Sequence, residues 1–284
     1  IPCLTRDLRN PNPIIQLSNY PFYIPMTNGT IDERNVYTNK YAIESYFCDW
    51  NDRLNMWGLA RLFQTVAEEH TILTHISYFD LIKGGKAWVL SRMYYEIDEM
   101  PEYGSTVAIS TWSRGIDGLF DARDFLMHDA NGRKLAGATA YWVVIDFNSR
   151  HVSRLNDVMD GYIHHNECAT TKQRLTKLRL HPMDQGDRIE QLNVKPSMLD
   201  HTLHVNNCEY VRFVDDNLPD GKAIATLEVT YHAETRSGEA IDILRMQPDS
   251  DSAQFQFLAG IPGAADRRLS FSAAVGLRDS KKRL

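Results

Sequence analysis

The chain has 284 residues, 43% hydrophobic and 24% charged, an ordinary globular composition and a length sufficient for one large domain or two. Its net charge of −6 argues against a nucleic acid partner, because phosphates require a basic face. No apolar run reaches the roughly 18 residues of a membrane span. The composition therefore predicts neither a nucleic-acid-binding nor a membrane-spanning protein.

The first 35 residues predict an extended arm or a partly ordered leader. Prolines recur at Pro11, Pro13, Pro21 and Pro25, and a proline inside a helix removes a backbone hydrogen bond. The apolar core of a signal peptide is not recognisable in this segment.

The cysteines are scattered along the chain without the C-x-x-C spacing of a zinc site or a redox pair. They stand at Cys3, Cys48, Cys168 and Cys208. We therefore expect free thiols in a reducing, cytoplasmic compartment, with no metal site and no cofactor.

The first half predicts one long helix followed by antiparallel strands. Residues 41–48 alternate like a strand. Apolar side chains then recur at the spacing of a buried helical face, which predicts a helix near residues 55–75, at Leu59, Leu62, Phe63 and Val66. Strands are predicted in WVLSRMYYEID, STVAISTWSR, GLFDARDFLMHD and RKLAGATAYWVVIDF, with a hairpin turn at Asn131–Gly132.

The second half, from about Gln185, repeats this order. An apolar stripe predicts a helix near residues 206–217, and Asn206 with Glu209 is typical of an N-terminal capping box. Strands are predicted in KAIATLEVTYHAE, EAIDILRMQ, SAQFQFLAG and RLSFSAAVGLRD.

The two halves align as an internal repeat of about 150 residues. Placing Asp49 on Asp200 superposes Asn51 on Thr202 and Arg53 on His204; the first copy therefore lacks the histidine.

Two short segments carry side chains suited to catalysis. LDHTLHVNN holds Asp200, Thr202 and His204 just before the second helix, and Glu234 follows about thirty residues later in a strand-like stretch. An Asp, a His and a Glu at a helix start can activate water and stabilise an oxyanion. Taken alone, the first segment also fits a capping Asp beside a surface His, and Glu234 fits a solvated strand residue.

From Tyr41 to Leu277 the sequence resembles the acyl-[acyl-carrier-protein] thioesterases, the plant FatA/FatB type and its bacterial relatives. The first half carries this resemblance in LFQTVAEEH, WVLSRMYYEID, STVAISTW and AYWVVIDFNSRHVSRL. In the second half, LDHTLHVNNCEY is similar to the family's D-x-N-x-H-V-N-N-x-x-Y. The resemblance implies an α+β tandem (double) hotdog fold, each unit a central helix wrapped by an antiparallel sheet.

The resemblance also implies a division of the chain. After the arm at 1–35, a first hotdog at 36–168 holds the acyl-chain pocket, a linker occupies 169–184, and a catalytic second hotdog covers 185–284.

The implied function is hydrolysis of acyl-carrier-protein thioesters to free fatty acid, which ends chain elongation in fatty acid biosynthesis. Asp200, His204 and Glu234 are then catalytic. Thr202 stands where the family has a functional Asn, and Thr235 where a Cys often follows the Glu. Because a hydroxyl is shorter than a carboxamide and has fewer donors, we expect an active but slower enzyme, and we expect Thr202→Asn to raise kcat.

The sequence leaves the detailed roles open. Glu234 or His204 takes the water proton, Asp200 orients the imidazole, and backbone N–H groups at 205–207 are candidates for an oxyanion site. A covalent acyl-enzyme on Thr235 or Cys208 is an alternative route.

Substrate-binding candidates lie mainly in the first half. A hotdog helix and its sheet can leave a channel between them, where Leu59, Phe63 and Trp88 would contact an acyl chain. Asn206, at the start of the second helix, is a further substrate-binding candidate, and the remaining apolar side chains of both helices are expected to form the core.

The linker ATTKQRLTKLRLHP contains four cations and no acid: Lys172, Arg174, Lys177 and Arg179. It is either solvated or a docking site for an acidic acyl carrier protein bearing a phosphopantetheine-linked chain. The competing functions are an acyl-CoA thioesterase, a non-catalytic acyl-binding module and a double-hotdog enoyl hydratase. The hydratase motif D-x-N-P-x-H has a proline and a longer Asp–His spacing, which disfavours it. The oligomeric state stays open and includes a homodimer.

Overall fold

A computed structural model describes residues 28–184 and 187–280. Most of the arm predicted at residues 1–35 lies outside the described residues. Its described end carries a short strand, β1 (Thr30–Ile31), which pairs antiparallel with β2 (Tyr37–Ala42). Among the described residues, no helix has the length and apolar composition to cross a bilayer.

The first half is built on a helix, α1 (Met56–Leu73), that begins at Asn55, whose side chain accepts from the Gly58 N–H at 2.7 Å. Leu59 and Phe63 of this helix are fully buried. The predicted helix is confirmed, and so are the four strands, β3 (Lys86–Ile97), β4 (Thr106–Asp117), β5 (Phe120–His128) and β6 (Lys134–Asp146).

One strand prediction in this half is wrong. The strand expected at residues 41–48 ends at Ala42, and Ser45–Phe47 forms a 3₁₀ turn. The reason is local: the Phe47 N–H bonds back to the Glu44 carbonyl at 3.0 Å, which turns the chain away from the sheet.

Two short helices were not predicted, α2 (Tyr78–Lys83) and α3 (Asn156–Met159). The start of α2 is a capping box in which Ser77 and Asp80 bond reciprocally, a pattern that the sequence does contain. Both helices contribute to a small apolar cluster outside the main core, formed by Ile76, Leu81, Val144, Leu155 and Met159.

The second half repeats this design around α4 (Asn207–Asp216). The predicted helix and the four predicted strands are confirmed; the strands are β8 (Lys222–Tyr231), β9 (Ala240–Asp249), β10 (Ser252–Gly260) and β11 (Arg268–Asp279). A further strand, β7 (Arg188–Asn193), was not predicted. Asn206 caps α4 by accepting from the Cys208 N–H at 2.9 Å. The reciprocal bond of a capping box is not made, because the Glu209 carboxylate instead accepts from Trp57 Nε1 of α1 at 2.9 Å.

All eleven described strands form one antiparallel sheet in the order β1-β2-β4-β5-β6-β3-β8-β11-β10-β9-β7. The halves join where β3 pairs with β8, with Met93 opposite Val229. Apart from the short edge strand β1, the strand order read inward from each side is equivalent, since β2-β4-β5-β6-β3 has the same connectivity as β7-β9-β10-β11-β8. The α+β double hotdog fold is therefore confirmed. The internal repeat of the sequence corresponds to the repeated strand order of the two halves.

A single apolar core spans both halves. Phe63 of α1 stacks on Phe125 of β5, and Tyr210 of α4 stacks on Phe271 of β11, each pair with ring centroids 5.1 Å apart. All four side chains belong to one contiguous buried cluster. Because such rings bury a large apolar area, the two helices and the sheet stabilise one another across the repeat.

Where the helices meet, the end of α4 caps the start of α1. Asp215 Oδ2 accepts from the Met56 N–H at 3.3 Å. Burial is the main cause that raises the pKa of Asp215 to about 6, and the nearby Asp216 and Asp49 add to it. The carboxylate is therefore an ionisable group at the junction of the halves.

We expect Asp215→Asn to raise the free energy of unfolding at pH 8. The native pKa lies above the unfolded value, so the native state binds the proton more tightly and loses stability as the pH rises through about 6. An amide keeps the acceptor oxygen and never ionises. The gain in the free energy of unfolding should be on the order of 1–2 kcal/mol at pH 8. It is smaller than the full pKa shift would give, because part of the Asp215 side chain is exposed and solvent screens its charge. The gain should vanish below pH 4, where the Asp215 carboxyl is protonated.

Denaturant unfolding at pH 4 and pH 8 measures this effect, with exposed Asp220→Asn as the matched control. A gain of equal size at both pH values would contradict the assignment.

Candidate active site

The residues 200–205 form a tight loop that enters α4. The Asp200 N–H donates to the His204 carbonyl at 2.8 Å, and Asp200 Oδ1 accepts from the backbone N–H groups of Thr202 at 2.8 Å and His204 at 3.3 Å. Leu203 has a φ of +67°, a left-handed conformation that closes the turn. The Asp side chain thus organises its own loop, as in an Asx-turn.

The first half contains the same loop with different chemistry. Asp49 Oδ1 accepts from the N–H groups of Asn51 at 2.8 Å and Arg53 at 3.1 Å. Arg53 occupies the position of His204, and its Nη1 donates to the Met100 carbonyl at 2.8 Å. The predicted alignment of the two loops is confirmed. In the first half, the loop residue equivalent to His204 makes a structural hydrogen bond.

Thr202 bridges Asp200 and His204. Its Oγ1 lies 2.6 Å from Asp200 Oδ1 and 3.1 Å from His204 Nδ1. A threonine hydroxyl has one hydrogen, and an ionised carboxylate can only accept, so the hydroxyl donates to Asp200 and accepts from His204 Nδ1–H. Asp200 therefore fixes the tautomer of His204 through Thr202 rather than directly.

Glu234 faces the other side of the imidazole. Its Oε2 lies 3.0 Å from His204 Nε2. The segment that follows β8 is held against the loop because the Val205 N–H donates to the Thr235 carbonyl at 2.8 Å. A carboxylate oxygen and a bare imidazole nitrogen are both acceptors, so these two atoms are placed to hold between them a proton that arrives from a third group.

Two arginines complete the charge balance around Glu234, and the sequence did not point to either. Arg150, from the loop after β6, contacts Glu234 Oε1. Arg236 Nη2 lies 3.5 Å from Glu234 Oε2. Arg150 carries no local signal, because it lies more than eighty positions before its partner in the chain.

The environment lowers the pKa of His204 below its ordinary value, with burial as the largest cause. The positive charges of Arg236 and Arg150 act in the same direction, and the carboxylates of Asp200 and Glu239 oppose them. The imidazole therefore stays neutral, and able to accept a proton, at a lower pH than an exposed histidine.

The backbone N–H groups predicted as oxyanion donors are mostly occupied. The Val205 N–H donates to Thr235, and the Asn206 N–H donates to the Met198 carbonyl at 2.9 Å. The prediction is wrong for these two groups because they hold the loop in place. The Asn207 N–H, at the first position of α4, has no partner among the described residues.

Neither candidate nucleophile is activated. Burial raises the pKa of the Cys208 thiol to about 12, and its Sγ donates to Gln64 Oε1 at 3.1 Å. Thr235 is fully buried, and its Oγ1 accepts from the Tyr210 hydroxyl at 2.8 Å. A covalent acyl-enzyme on either residue is therefore disfavoured.

An apolar cavity is lined by residues of α1, of the sheet and of the start of α4. Asn207 and Cys208, at the start of α4, are the lining residues closest to His204 in the sequence. Its walls come mainly from the first half and include Phe63, Leu90, Met93, Phe125 and Trp142.

The four predicted substrate-binding residues have different positions. Phe63 lines this cavity, whereas Leu59 is fully buried in the core beside it. Trp88 packs on the separate cluster of α2 and α3, and its Nε1 donates to the Ile76 carbonyl at 2.8 Å. The Asn206 side chain is engaged as the cap of α4. Of the four predicted substrate-binding residues, only Phe63 lines the cavity.

His201 lies outside the hydrogen-bonded network described above. Its ring packs edge-on against Tyr78 of α2, with centroids 4.5 Å apart. His201 is therefore a neighbour of the hydrogen-bonded cluster and not one of its members.

The fold and the site together define a double-hotdog protein with an Asp–Thr–His–Glu cluster at the start of its second helix. The family model for the acyl-ACP thioesterase N-terminal domain matches residues 34–162, and that for the C-terminal domain matches residues 182–268. The chain belongs to the acyl-ACP thioesterase family.

Individual relatives are distant. The chain is 26% identical to oleoyl-acyl carrier protein thioesterase 2 of Arabidopsis thaliana over 227 residues, covering 73% of this chain and 62% of that protein. It is 24% identical to an acyl-[acyl-carrier-protein] hydrolase of Cuphea viscosissima, covering 81% and 60%. The chain thus spans about three fifths of the length of these curated relatives.

Solved structures agree with the fold. An acyl-ACP thioesterase from Bacteroides thetaiotaomicron has a TM-score of 0.76 at 24% identity, covering 87% of this chain and 99% of that one. The 12:0-ACP thioesterase from Umbellularia californica has a TM-score of 0.75 at 19% identity, covering 87% and 98%.

Proposed function

We propose that this protein hydrolyses acyl-acyl-carrier-protein thioesters to free fatty acid, the reaction that ends chain elongation in fatty acid biosynthesis. The observation that carries the proposal is the His204 Nε2–Glu234 Oε2 distance of 3.0 Å, with Thr202 linking the opposite side of the imidazole to Asp200. Asn207 and Cys208, which follow His204 closely in the chain, line an apolar cavity. Membership of the family supports the same reaction.

The proposed chemistry needs no covalent intermediate. Water beside His204 and Glu234 attacks the thioester carbonyl carbon, and the pair takes the proton that water loses. The new C–O bond forms, the C–S bond breaks, and the pair returns the proton to the departing thiolate. Because Thr202 holds Nδ1–H, the imidazole atom that exchanges the proton is Nε2.

We assign different tasks to the two halves. The first half, predicted at 36–168, supplies most of the cavity wall and would hold the acyl chain. The second half, predicted at 185–284, supplies Asp200, Thr202, His204 and Glu234. An acyl chain that enters beside Cys208 would extend toward Phe63.

The competing functions are less well supported. The Thr202 hydroxyl reaches both Asp200 and His204, so the missing Asn does not by itself favour a non-catalytic binder. A hydratase is disfavoured by the loop spacing. Rates of free acid release across acyl chain lengths on carrier protein and on coenzyme A test the proposal and separate it from an acyl-CoA thioesterase. Faster turnover of the coenzyme A series would contradict the carrier-protein substrate.

The carrier would dock on positive charge, and only part of the predicted basic linker remains available. Lys172 pairs with Glu228 on β8, and Arg174 Nη2 lies 2.8 Å from Asp117 Oδ1 on β4. Within the described residues, exposed Lys177 has no ion-pair partner, and neither has Arg179. We therefore propose that Lys177 and Arg179 bind the acidic carrier protein.

Reversing the charges of Lys177 and Arg179 together to Glu should raise KM for carrier-bound substrate about three- to tenfold, because rim charges steer an acidic partner. Coenzyme A thioesters should change less, and the difference should shrink in high salt. Lys40→Glu on β2 is the matched control. An equal rise for both carriers would leave the linker as a solvated segment.

A cytoplasmic location and a homodimer also stay predictions. The described cysteines, Cys48, Cys168 and Cys208, are free, which is compatible with a reducing compartment. Sedimentation of the intact chain tests the dimer.

A further inference from the structure

We infer that Arg150, contributed by the first half, is a positioning residue that holds the Glu234 carboxylate against His204, so that the catalytic pair is complete only across both halves. This inference rests on the proposed hydrolysis. It goes beyond the sequence interpretation, in which the first half supplies only the acyl-chain pocket.

The loop that presents Arg150 is rigidly built. Asp146 Oδ1 accepts from the N–H groups of Asn148 at 3.1 Å and Ser149 at 2.7 Å, and from Ser149 Oγ at 2.9 Å. The Arg150 N–H donates to the Asp146 carbonyl at 2.9 Å, and Asp146 in turn donates to the His151 carbonyl at 2.8 Å. These bonds fix the direction in which residue 150 leaves the sheet.

The backbone of Arg150 itself is unusual. Its φ is +62°, a left-handed conformation that a residue with a side chain rarely adopts. Glycine would fit this turn more easily, yet an arginine stands here and reaches across the sheet to the second half. The role of residue 150 therefore lies in its side chain and not in the turn alone.

At the other end of the Arg150 side chain, its guanidinium and the His204 imidazole contact different oxygens of the Glu234 carboxylate. Arg150 contacts Glu234 Oε1, while His204 Nε2 lies 3.0 Å from Oε2. Glu234 lies after the end of β8, outside any regular element, so these contacts limit its rotation. Arg236 is a weaker clamp, because it lies 3.5 Å away and its side chain is 65% exposed against 43% for Arg150.

Removing Arg150 should also change the titration of His204. The charged groups that face the imidazole are Asp200, Glu234, Glu239, Arg150 and Arg236. Arg150 is one of the two cations in this set that lower the pKa of His204. Its loss stabilises the imidazolium, so the pKa of His204 should rise and the acidic limb of the activity profile should move to higher pH.

The test compares Arg150→Ala and Arg150→Lys with the unaltered chain across pH 5–9 on an acyl-carrier-protein substrate. Loss of the Arg150 contact should leave the Glu234 carboxylate free to rotate and lower kcat about 10- to 100-fold. KM should change less than about twofold, because a misplaced catalytic group reduces stabilisation of the transition state more than it reduces substrate binding. Added guanidinium ion should restore part of kcat in Arg150→Ala. Lysine should restore little, because it lacks the planar fork.

Arg133→Ala, an exposed arginine paired with Glu99, is the matched control and should keep kcat and the pH profile. A rise in KM with kcat and the acidic limb unchanged would overturn the inference, since Arg150 would then bind substrate.

An NMR titration of His204 without substrate separates this inference from the proposed function. A raised imidazole pKa in Arg150→Ala supports the clamp even if the unaltered chain hydrolyses no acyl-carrier-protein, an outcome that would contradict the proposed function. In a chain that does hydrolyse, an Arg150→Ala variant with both kcat and the imidazole pKa unchanged would overturn the clamp alone.

Discussion

Replacing His204 or Glu234 by alanine is expected to lower kcat by about 10²–10⁴-fold, the range that an acid–base group contributes. The two side chains lie 3.0 Å apart, and in the proposed reaction they take up the proton that water loses. Neither is part of the apolar core, so the midpoint of thermal unfolding should change little. Steady-state hydrolysis and thermal unfolding of the same preparations measure both quantities.

The pH dependence of the unaltered chain belongs to the same prediction. The base form requires a neutral imidazole, and the pKa of His204 lies below 6.5 because of burial. Activity should therefore persist on the acid side of pH 6.5 and fall only as the pH drops through the lowered pKa. His201→Ala, which alters a ring packed on Tyr78, is the matched control. Unchanged turnover in both the His204 and the Glu234 variants would refute the assignment.

Thr202→Val is expected to lower kcat about 100-fold while Thr202→Ser keeps most of the activity. Valine has the shape of threonine but cannot donate to Asp200 or accept from His204 Nδ1, so the imidazole loses its tautomer control. Serine retains the hydroxyl. KM should stay nearly constant in both variants, because the interaction acts on the catalytic base rather than on the substrate.

Thr202→Asn completes this series. A carboxamide can donate to Asp200 and accept from His204, and its second N–H stays available for substrate or water. We expect kcat to rise about two- to tenfold with little change in KM. A loss of activity would mean that the loop is built around the shorter hydroxyl, and that the family's Asn role does not transfer to this position.

Local periodicity was sufficient to predict α1 and α4, because apolar side chains at helical spacing must face a core. It also located the long strands and the repeat, since Asp49 and Asp200 head equivalent loops. The pairing of β3 with β8, which joins the halves, is a long-range contact without a local signal. The same limitation hid Arg150, whose role depends on a partner in the other half.

Contacts between elements distant in the chain account for the predictions that the structure did not support. Trp88 shares a strand with cavity residues such as Leu90, but it packs on the cluster of α2 and α3, and periodicity alone could not reveal a second cluster. The oxyanion donors were misassigned because a helix start suggests free N–H groups. At Val205 and Asn206 those groups hold the loop instead.

The most direct test of the central claim is the release of free fatty acid from a purified acyl-carrier-protein substrate by the unaltered chain and by His204→Ala. We predict that the unaltered chain releases free acid and carrier thiol in equal amounts and that the variant releases almost none. Binding of the substrate without release by the unaltered chain, or equal release by both proteins, would contradict hydrolysis at the Asp200–Thr202–His204–Glu234 site.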